Sequence, residues 1–586
     1  MAMTDELQPD GDAVALGSRS ETEVPAPARA PQFGGRLAEL PWAKIARDAS
    51  VILLAVILLY PVIEVIRLAI DDGVRVVDRI PDLPRIGNTI MNTIGLALGV
   101  VVLSVVSGTA LAWCAAQLRG RLNAIATLLS IFPILIPGIA GAVGWVFIFA
   151  PNTGYGNQLL RQLPFIDPES VPFNIYSLGG IIGVTTLYLV PYTFLFMSTA
   201  LRELDPSMED AARVSGSSWL GAQLRVNLAA MRPALVYSAV ISLLLGLGQF
   251  TAALLLGRNG GIDVITTEMF RQMTVVPIDR PVAAGLAVPL IAIALVLVAI
   301  QRRIIGSGAR YAGVGKGVSR VGRQRVHAIW PVIIYGGIAI VPPIAALVVV
   351  ALSPYWQGTI DPSLFNIGSF QALFDNVRIR DSIWNTIEIS VVATVVALVL
   401  SLALGLLMTR SKSRLRALVD FVVNLPLSVP ALVFGIGVFS AYALGGPRLY
   451  GTQIIYIVTF VIILLPHGMR MITSGLLRLG DDTISAARVS GASALAALAH
   501  IVIPLLRRTL GAAGVLLFVL MTSEFAAAAV LKTPGNQVMS TQLFELWETG
   551  SIPQVAALAL VMVGISCIGV LSILLVSGKE TISDFE

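Results

Sequence analysis

The chain has 586 residues, 56% of them hydrophobic and only 13% charged, with a mean hydropathy of +0.83. That composition excludes a soluble globular protein: apolar runs of about 20 residues are read as membrane helices, because lipid offers no partner to an unpaired backbone amide or carbonyl. The net charge of +5 requires no nucleic acid, since loops held on the cytoplasmic side of a membrane collect Lys and Arg.

The first 40 or so residues of the segment 1–47 are rich in Pro, Ala, Asp and Glu and lack the basic start, short apolar core and cleavage site of a signal peptide. They are expected to form a disordered cytoplasmic tail. Six apolar runs follow near residues 50–70, 90–116, 124–150, 176–200, 233–256 and 281–301, with limits loose by a few residues. A basic, Gly-rich stretch at 302–328, with Arg302, Arg303, Arg310, Lys316, Arg320, Arg323 and Arg325, reads as a cytoplasmic linker. Inside it, Gly313-Val314-Gly315-Lys316-Gly317 is only superficially like a phosphate loop. Gly stands where Ser or Thr should ligate magnesium and no strand precedes it, so the chain is expected to bind no nucleotide itself.

Six further runs lie near 329–353, 384–409, 417–444, 451–474, 505–531 and 553–578, and residues 579–586 read as a second cytoplasmic tail. The fold expected is all-α, with about twelve transmembrane helices arranged as two homologous six-helix domains, 48–301 and 329–578. An inside N-terminus puts most of the 40 Lys and Arg residues on the cytoplasmic side, although Arg75, Arg79 and Arg85 share one outside loop. Cys114 and Cys567 fall in separate apolar runs, which leaves neither a disulfide framework nor a thiolate metal site.

The halves are copies. Asn92-Thr93-Ile94 and Asn385-Thr386-Ile387 stand 293 positions apart, as do Pro133/Pro426, Pro137/Pro430 and Gly144/Gly437. Beyond them the offset is 275, holding for Pro191/Pro466, Val226/Ile501, Leu228/Ile503 and Phe250/Phe525, so the outside loop near 151–172 carries an 18-residue surplus. Two six-span units that both enter from the inside are related by an axis along the membrane normal and enclose a path between them. Pro133, Pro137, Pro426 and Pro430 are expected to bend their helices. His467, beside Pro466, is expected to pack at a helix break, its repeat partner being Tyr192, and not to ligate a metal with Met469 and Met471.

Between the fourth and fifth runs, Leu204-Asp205-Pro206-Ser207-Met208-Glu209-Asp210 carries a helix-start signature. Ala211-Ala212-Arg213-Val214-Ser215-Gly216 follows and recurs as Ala486-Ala487-Arg488-Val489-Ser490-Gly491. Alanines favour helix while permitting close approach of a partner, and each glycine allows a left-handed end, which predicts a short helix, a corner and a second helix.

This segment resembles the EAA loop of importer-type ABC transporter permeases, whose pattern is E-A-A, three residues, G, nine residues, I-x-L-P. Here it reads Asp210-Ala211-Ala212, Gly216 and Val226-Asn227-Leu228-Ala229, then Ser485-Ala486-Ala487, Gly491 and Ile501-Val502-Ile503-Pro504. Asp210 and Ser485 replace the glutamate, although Glu209 adjoins the first copy, and Ala229 replaces the first proline. The resemblance implies two permease domains whose loops dock on two cytoplasmic ABC ATPase subunits. It assigns that coupling to Asp210, Ala211, Ala212, Arg213 and Gly216 and to Ser485, Ala486, Ala487, Arg488 and Gly491. It further implies that ATP and magnesium belong to those partners, that this chain has no catalytic role or cofactor, and that an extracytoplasmic binding protein delivers the cargo. The location implied is a bacterial cytoplasmic (inner) membrane, with both termini cytoplasmic and lipid as the surrounding partner.

Gln249 and Glu524 occupy equivalent span positions, each followed by Phe. Burying a charge at mid-membrane costs about 2.5 to 3.5 kcal/mol, so Glu524 is expected to face the bundle interior or water, and the pair are the candidates for lining the path. Glu388, near the start of its span, is more easily solvated. The region after Glu524, through Val530-Leu531-Lys532-Thr533-Pro534-Gly535 and Leu543-Phe544-Glu545-Leu546-Trp547-Glu548 to Ala556-Ala557-Leu558-Ala559-Leu560, resembles fused permeases for ferric iron. Relatives of those carry aminoethylphosphonate, thiamine or polyamines. Fusion of both halves fits the iron branch, so ferric iron is the expected substrate and the others are alternatives.

A major-facilitator secondary transporter also has six plus six spans. Its repeated signature follows the second span, where Gln117-Leu118-Arg119-Gly120-Arg121 is short and lacks an acid. A membrane hydrolase finds no paired-histidine metal motif and no nucleophile constellation in the sequence.

Overall fold

A computed structural model describes residues 41–71, 74–308, 325–410, 416–444, 449–479, 491 and 493–576. Residues 1–40 of the expected N-terminal tail, most of the linker, the last tail and Ser485, Ala486, Ala487 and Arg488 of the second loop lie outside the described residues, whereas residues 41–47, expected to belong to the disordered tail, open the first helix. Contacts divide the chain into Met1–Leu53, described only over the start of the first helix, and Leu54–Glu586, which holds everything below.

The described residues are helical and contain no strand. The long helices of the first half are α1 (Pro41–Asp71), α2 (Ile86–Ala116), the pair α3 (Gly120–Ile131) and α4 (Gly138–Phe149), and α5 (Leu178–Glu203). After them come the short α6 (Pro206–Val214), then α7 (Arg232–Leu247), the short α8 (Ile265–Thr274) and α9 (Arg280–Gly308). The second half repeats the order with α10 (Ile329–Leu352), α11 (Val377–Arg410), the pair α12 (Arg416–Asn424) and α13 (Ala431–Phe439), and α14 (Gln453–Arg478). It closes with α15 (Ile503–Ser523), the short α16 (Met539–Glu548) and α17 (Ile552–Val576).

Among the described residues nine helices are long and apolar enough to cross a membrane, or twelve if each of three bent pairs counts as one span. The third span of each half bends as its prolines require, by 94° in the first half and 105° in the second. At the bend Pro137 and Pro430 take extended ψ values of 127° and 138°, and neither supplies an amide to continue the helix.

Two expectations change. The fifth span does not run to 256: α7 stops at Leu247 and α15 at Ser523, and the chain then turns back through short helices that end in α8 and α16. Nor does a break mark His467, because α14 runs through Pro466 from Gln453 to Arg478. A bundle of neighbouring helices stabilises a proline-bearing helix that sequence alone would interrupt.

The first spans are exchanged between the halves. Helix α10 packs on α3 and α4 of the first half, while Pro61 of α1 abuts Gly437 of α13 and the Tyr60 ring meets Tyr442 edge-on at 5.9 Å. Each repeated glycine lies at such a crossing. A Cβ on Gly437 would stand 2.3 Å from the Pro61 carbonyl oxygen, and one on Gly144 2.7 Å from that of Pro343. Both contacts are with backbone, which cannot swing aside. Gly437→Ala is therefore expected to cost about 1–3 kcal/mol through overpacking, read as a lower thermal unfolding midpoint of the detergent-solubilised chain. An unchanged midpoint would show that the two backbones can separate at no cost.

Candidate functional site

The first loop is built from its own sequence. Asp205 caps α6 by accepting the Ser207 amide at 2.9 Å, and Pro206 occupies the first turn, where no intrahelical amide is needed. The Ser207 amide and hydroxyl hold the Asp205 carboxyl below the usual carboxylate range. Its capping contribution is thus present above the unfolded pKa and lost as pH falls through the lowered folded value.

The helix ends where the Gly216 amide bonds the Arg213 carbonyl and the Ser217 amide the Ala212 carbonyl, each at 3.0 Å, with Gly216 at φ 86°. That is the left-handed corner expected of a helix C-terminus. Gly491, the described residue of the second hexapeptide, has φ 87°. A Cβ added to either glycine would have no atom within 4 Å, so backbone conformation alone demands glycine.

Past the corner the chain forms a π-type turn at Gln223–Asn227, then meets α7 at a 72° bend. The equivalent turn, Leu498–Val502, is also π-type. Glu209, which adjoins the first copy, accepts from Asn227 Nδ2 at 3.0 Å and ties α6 to the returning segment. Asp210, Ala211 and Arg213 are exposed, and Val214 is 90% exposed. An apolar side chain is thus presented to the outside beside an exposed alanine and an exposed arginine.

The repeated Asn-Thr-Ile triplets position the other end of the bundle. Asn92 Nδ2 donates to the Asp263 carbonyl and Asn385 Nδ2 to that of Gln537, both at 3.1 Å. Thr93 Oγ1 accepts from the Ile265 amide at 2.9 Å and Thr386 Oγ1 from the Met539 amide at 2.7 Å. Each triplet therefore grips the first turn of α8 or α16, which places these short helices beside the midline.

Gln249 and Glu524 sit where the fifth spans break. Thr266 Oγ1 donates to the Gln249 carbonyl at 2.6 Å, and Ser540 Oγ to the Glu524 carbonyl at 2.8 Å. Gln249 Nε2 donates to Thr185 Oγ1, and Glu524 Oε1 accepts from the Ala527 amide at 3.1 Å. Both side chains are half-buried.

The residues after them were not singled out for a role by sequence reasoning. Phe250 and Phe525 stack across the two halves with ring centroids 5.5 Å apart and planes 24° apart. Phe270 of α8 and Phe544 of α16 close around them, at 5.3 Å from Phe250 and 5.4 Å from Phe525. All four rings are buried. The signal was present in the Phe250/Phe525 repeat, but only the fold brings the copies face to face.

A cavity lies on each side of this aromatic cluster. The one away from the hexapeptide loops, about 670 Å³, is lined by Phe270, Phe544 and the charged Arg258, Asp263, Arg271, Lys532 and Glu548. Arg258 bonds Glu548 across the halves at 2.5 Å. The one towards the loops, about 650 Å³, lies between α7 and α9 of the first half and α11, α12 and α14 of the second. Among the described residues no three His, Cys, Asp or Glu side chains group as a metal site. His467 Nδ1 is buried without a hydrogen bond, and Glu388 is exposed, accepting from Gln453 at 3.4 Å.

The family model described as "Binding-protein-dependent transport system inner membrane component" matches residues 86–309 and 401–578, together more than half of the chain. The chain is similar to the ferric transport system permease protein FbpB of Actinobacillus pleuropneumoniae, 24% identical over 79% of this chain and 67% of that protein. It is 23% identical to the Fe(3+)-transport system permease protein FbpB 2 of Haemophilus influenzae, over 86% and 93% of the two chains. A relative from Salmonella typhimurium named for 2-aminoethylphosphonate transport, PhnV, is 25% identical over 38% of this chain and 84% of its own.

Proposed function

Because the chain belongs to the inner membrane components of binding-protein-dependent transport systems, we propose that it is a two-half permease subunit of an ATP-driven ferric iron importer. The exposed first hexapeptide loop carries this reading, with its glycine corner repeated at Gly491. In this reading each loop enters a cleft on one of two cytoplasmic ATPase subunits, ATP and magnesium stay on those subunits, and both termini are cytoplasmic. A binding protein on the opposite face delivers cargo to the charged cavity. When the ATPases close, the docked loops are carried together, the halves rock about the midline, and the seal of Phe250, Phe525, Phe270 and Phe544 parts. Gln249 and Glu524, adjoining the stacked rings, would then flank the opened path. Iron is favoured as cargo by the two relatives named for it, each similar over more than three quarters of this chain.

A second reading keeps the machine and changes the cargo to 2-aminoethylphosphonate, favoured by the PhnV relative, which is similar to one half of the chain. Family membership sets aside a secondary transporter. The test is co-purification and uptake: the solubilised chain is expected to retain a separately encoded ATPase, and ferric iron to enter proteoliposomes only with ATP and the binding protein. Full-rate uptake without any ATPase would overturn the importer reading, and ATP-driven uptake of aminoethylphosphonate but not iron would replace the cargo.

A further inference from the structure

We propose that the cavity on the loop side of the seal is a binding site for an oxyanion group (phosphonate, phosphate or carboxylate), with Arg470 as its principal donor and Tyr237 as its second. The proposal deepens the permease reading and rests on it for the solute's route.

Arg470 stands eight residues before the end of α14, about 12 Å of helix from that end. A guanidinium inside a span is costly unless it faces water or a partner. Here it is exposed to the cavity it lines. Two of its donors are used to aim it: Nε donates to Asn424 Oδ1 at 3.2 Å and Nη1 to the Tyr237 hydroxyl at 2.7 Å. Nη2 is left over, and no carboxylate among the described residues pairs with the group. A planar fork with one edge fixed and the other open is the geometry that takes an oxyanion.

Tyr237 has accepted from Arg470, so its own proton is directed elsewhere, and its ring is held edge-on against Phe196 at 4.6 Å. Asn424 spends its amide on Asp420, donating to the carbonyl at 2.7 Å and to Oδ1 at 2.9 Å, and so stands between that carboxylate and the guanidinium. Thr473 Oγ1, on the same wall, is buried with no hydrogen-bond partner. At about 650 Å³ the cavity has room for a small solute. Leu244 also lines it, five residues before Gln249, so it reaches up towards the seal.

The duplication supplies the decisive comparison. At the repeat offsets, the positions of Arg470, Tyr237, Asn424 and Asp420 are taken in the other copy by Leu195, Ala512, Ile131 and Thr127. A requirement of the fold would recur in both halves, as the Asn-Thr-Ile grip does. This polar set occurs once, which suits one ligand per molecule.

The shared chemistry has two sources, a transported solute or a phospholipid headgroup, and the test separates them. Wild-type chain with its ATPase, in detergent, is titrated with inorganic phosphate and with 2-aminoethylphosphonate, reading the shift in thermal unfolding midpoint. The same samples are then compared in nanodiscs with and without phosphatidylglycerol. Stabilisation by a soluble probe that weakens at least tenfold in Arg470→Gln and in Tyr237→Phe, and is partly restored in Arg470→Lys, supports the site with a solute as its source. Stabilisation by phosphatidylglycerol alone, lost in Arg470→Gln, supports it with a headgroup as its source. The unliganded midpoint of each variant separates misfolding from lost binding. No stabilisation by any probe, or equal stabilisation of wild type and Arg470→Gln, overturns the proposal. Failure of the ATPase to co-purify would instead strike the permease reading and leave the site standing.

Discussion

Replacing Gly216 and Gly491 together with valine is expected to leave ATP hydrolysis running while ATP-driven uptake falls at least tenfold. Both glycines hold φ near +87°, a region where an L-residue costs roughly 1–2 kcal/mol and a β-branched one more. No neighbouring atom lies within 4 Å of where either Cβ would be, so the substitution acts on the backbone corner and not through a clash. The corner sets the direction in which the chain leaves α6, and in the proposed importer it thereby sets how Val214 and Arg213 meet the ATPase. In that reading, shifting the two corners leaves the motor intact and loosens its grip. The control is asparagine at both positions, since Asn tolerates the left-handed conformation and is expected to keep most of the coupling. Uptake per ATP hydrolysed, measured in proteoliposomes with binding protein, reads the difference. Full coupling in the valine pair would show that the corners do not set the docking geometry.

Removing the stacked rings is expected to open the chain without any motor. Phe250→Ala with Phe525→Ala deletes two fully buried aromatic side chains that meet across the two halves. Truncating a buried Phe costs about 3–5 kcal/mol, and here the loss falls on the sealed state, which joins the rings. A loss of that order moves a sealed-to-open balance by roughly 10²-fold or more. Proteoliposomes holding the chain alone should then leak small ions, while Phe250→Leu with Phe525→Leu, which keeps an apolar plug, should stay tight. Tight vesicles with the alanine pair would mean that the barrier lies elsewhere on the path.

Much of the design was readable because the chain states it twice. Length and apolar runs gave twelve spans in two sets, and the Pro133/Pro137 and Pro426/Pro430 pairs foretold the bends, since proline cannot continue a helix whatever surrounds it. Gly216 announced its corner because a left-handed position selects glycine locally. The fifth spans misled for the opposite reason. Residues 248–256 and 524–531 are as apolar as a span, and periodicity cannot tell a helix that crosses from one that turns back inside the protein. Gly144 and Gly437 were visible as a repeat, but their purpose, admitting Pro343 and Pro61 of the exchanged spans, depends on which helix lies opposite.

Everything local was therefore written in the residues: the apolar segments, the capped loop helix, the proline bends, the glycine corners and the twofold plan. Folding alone chose which copy faces which. It exchanged the first spans, set Phe250 on Phe525, and turned Arg470 of one half towards Tyr237 of the other. The physical reason is distance along the chain: these contacts join residues hundreds of positions apart, and packing complementarity between whole helices chooses such neighbours, not the preferences of any short segment.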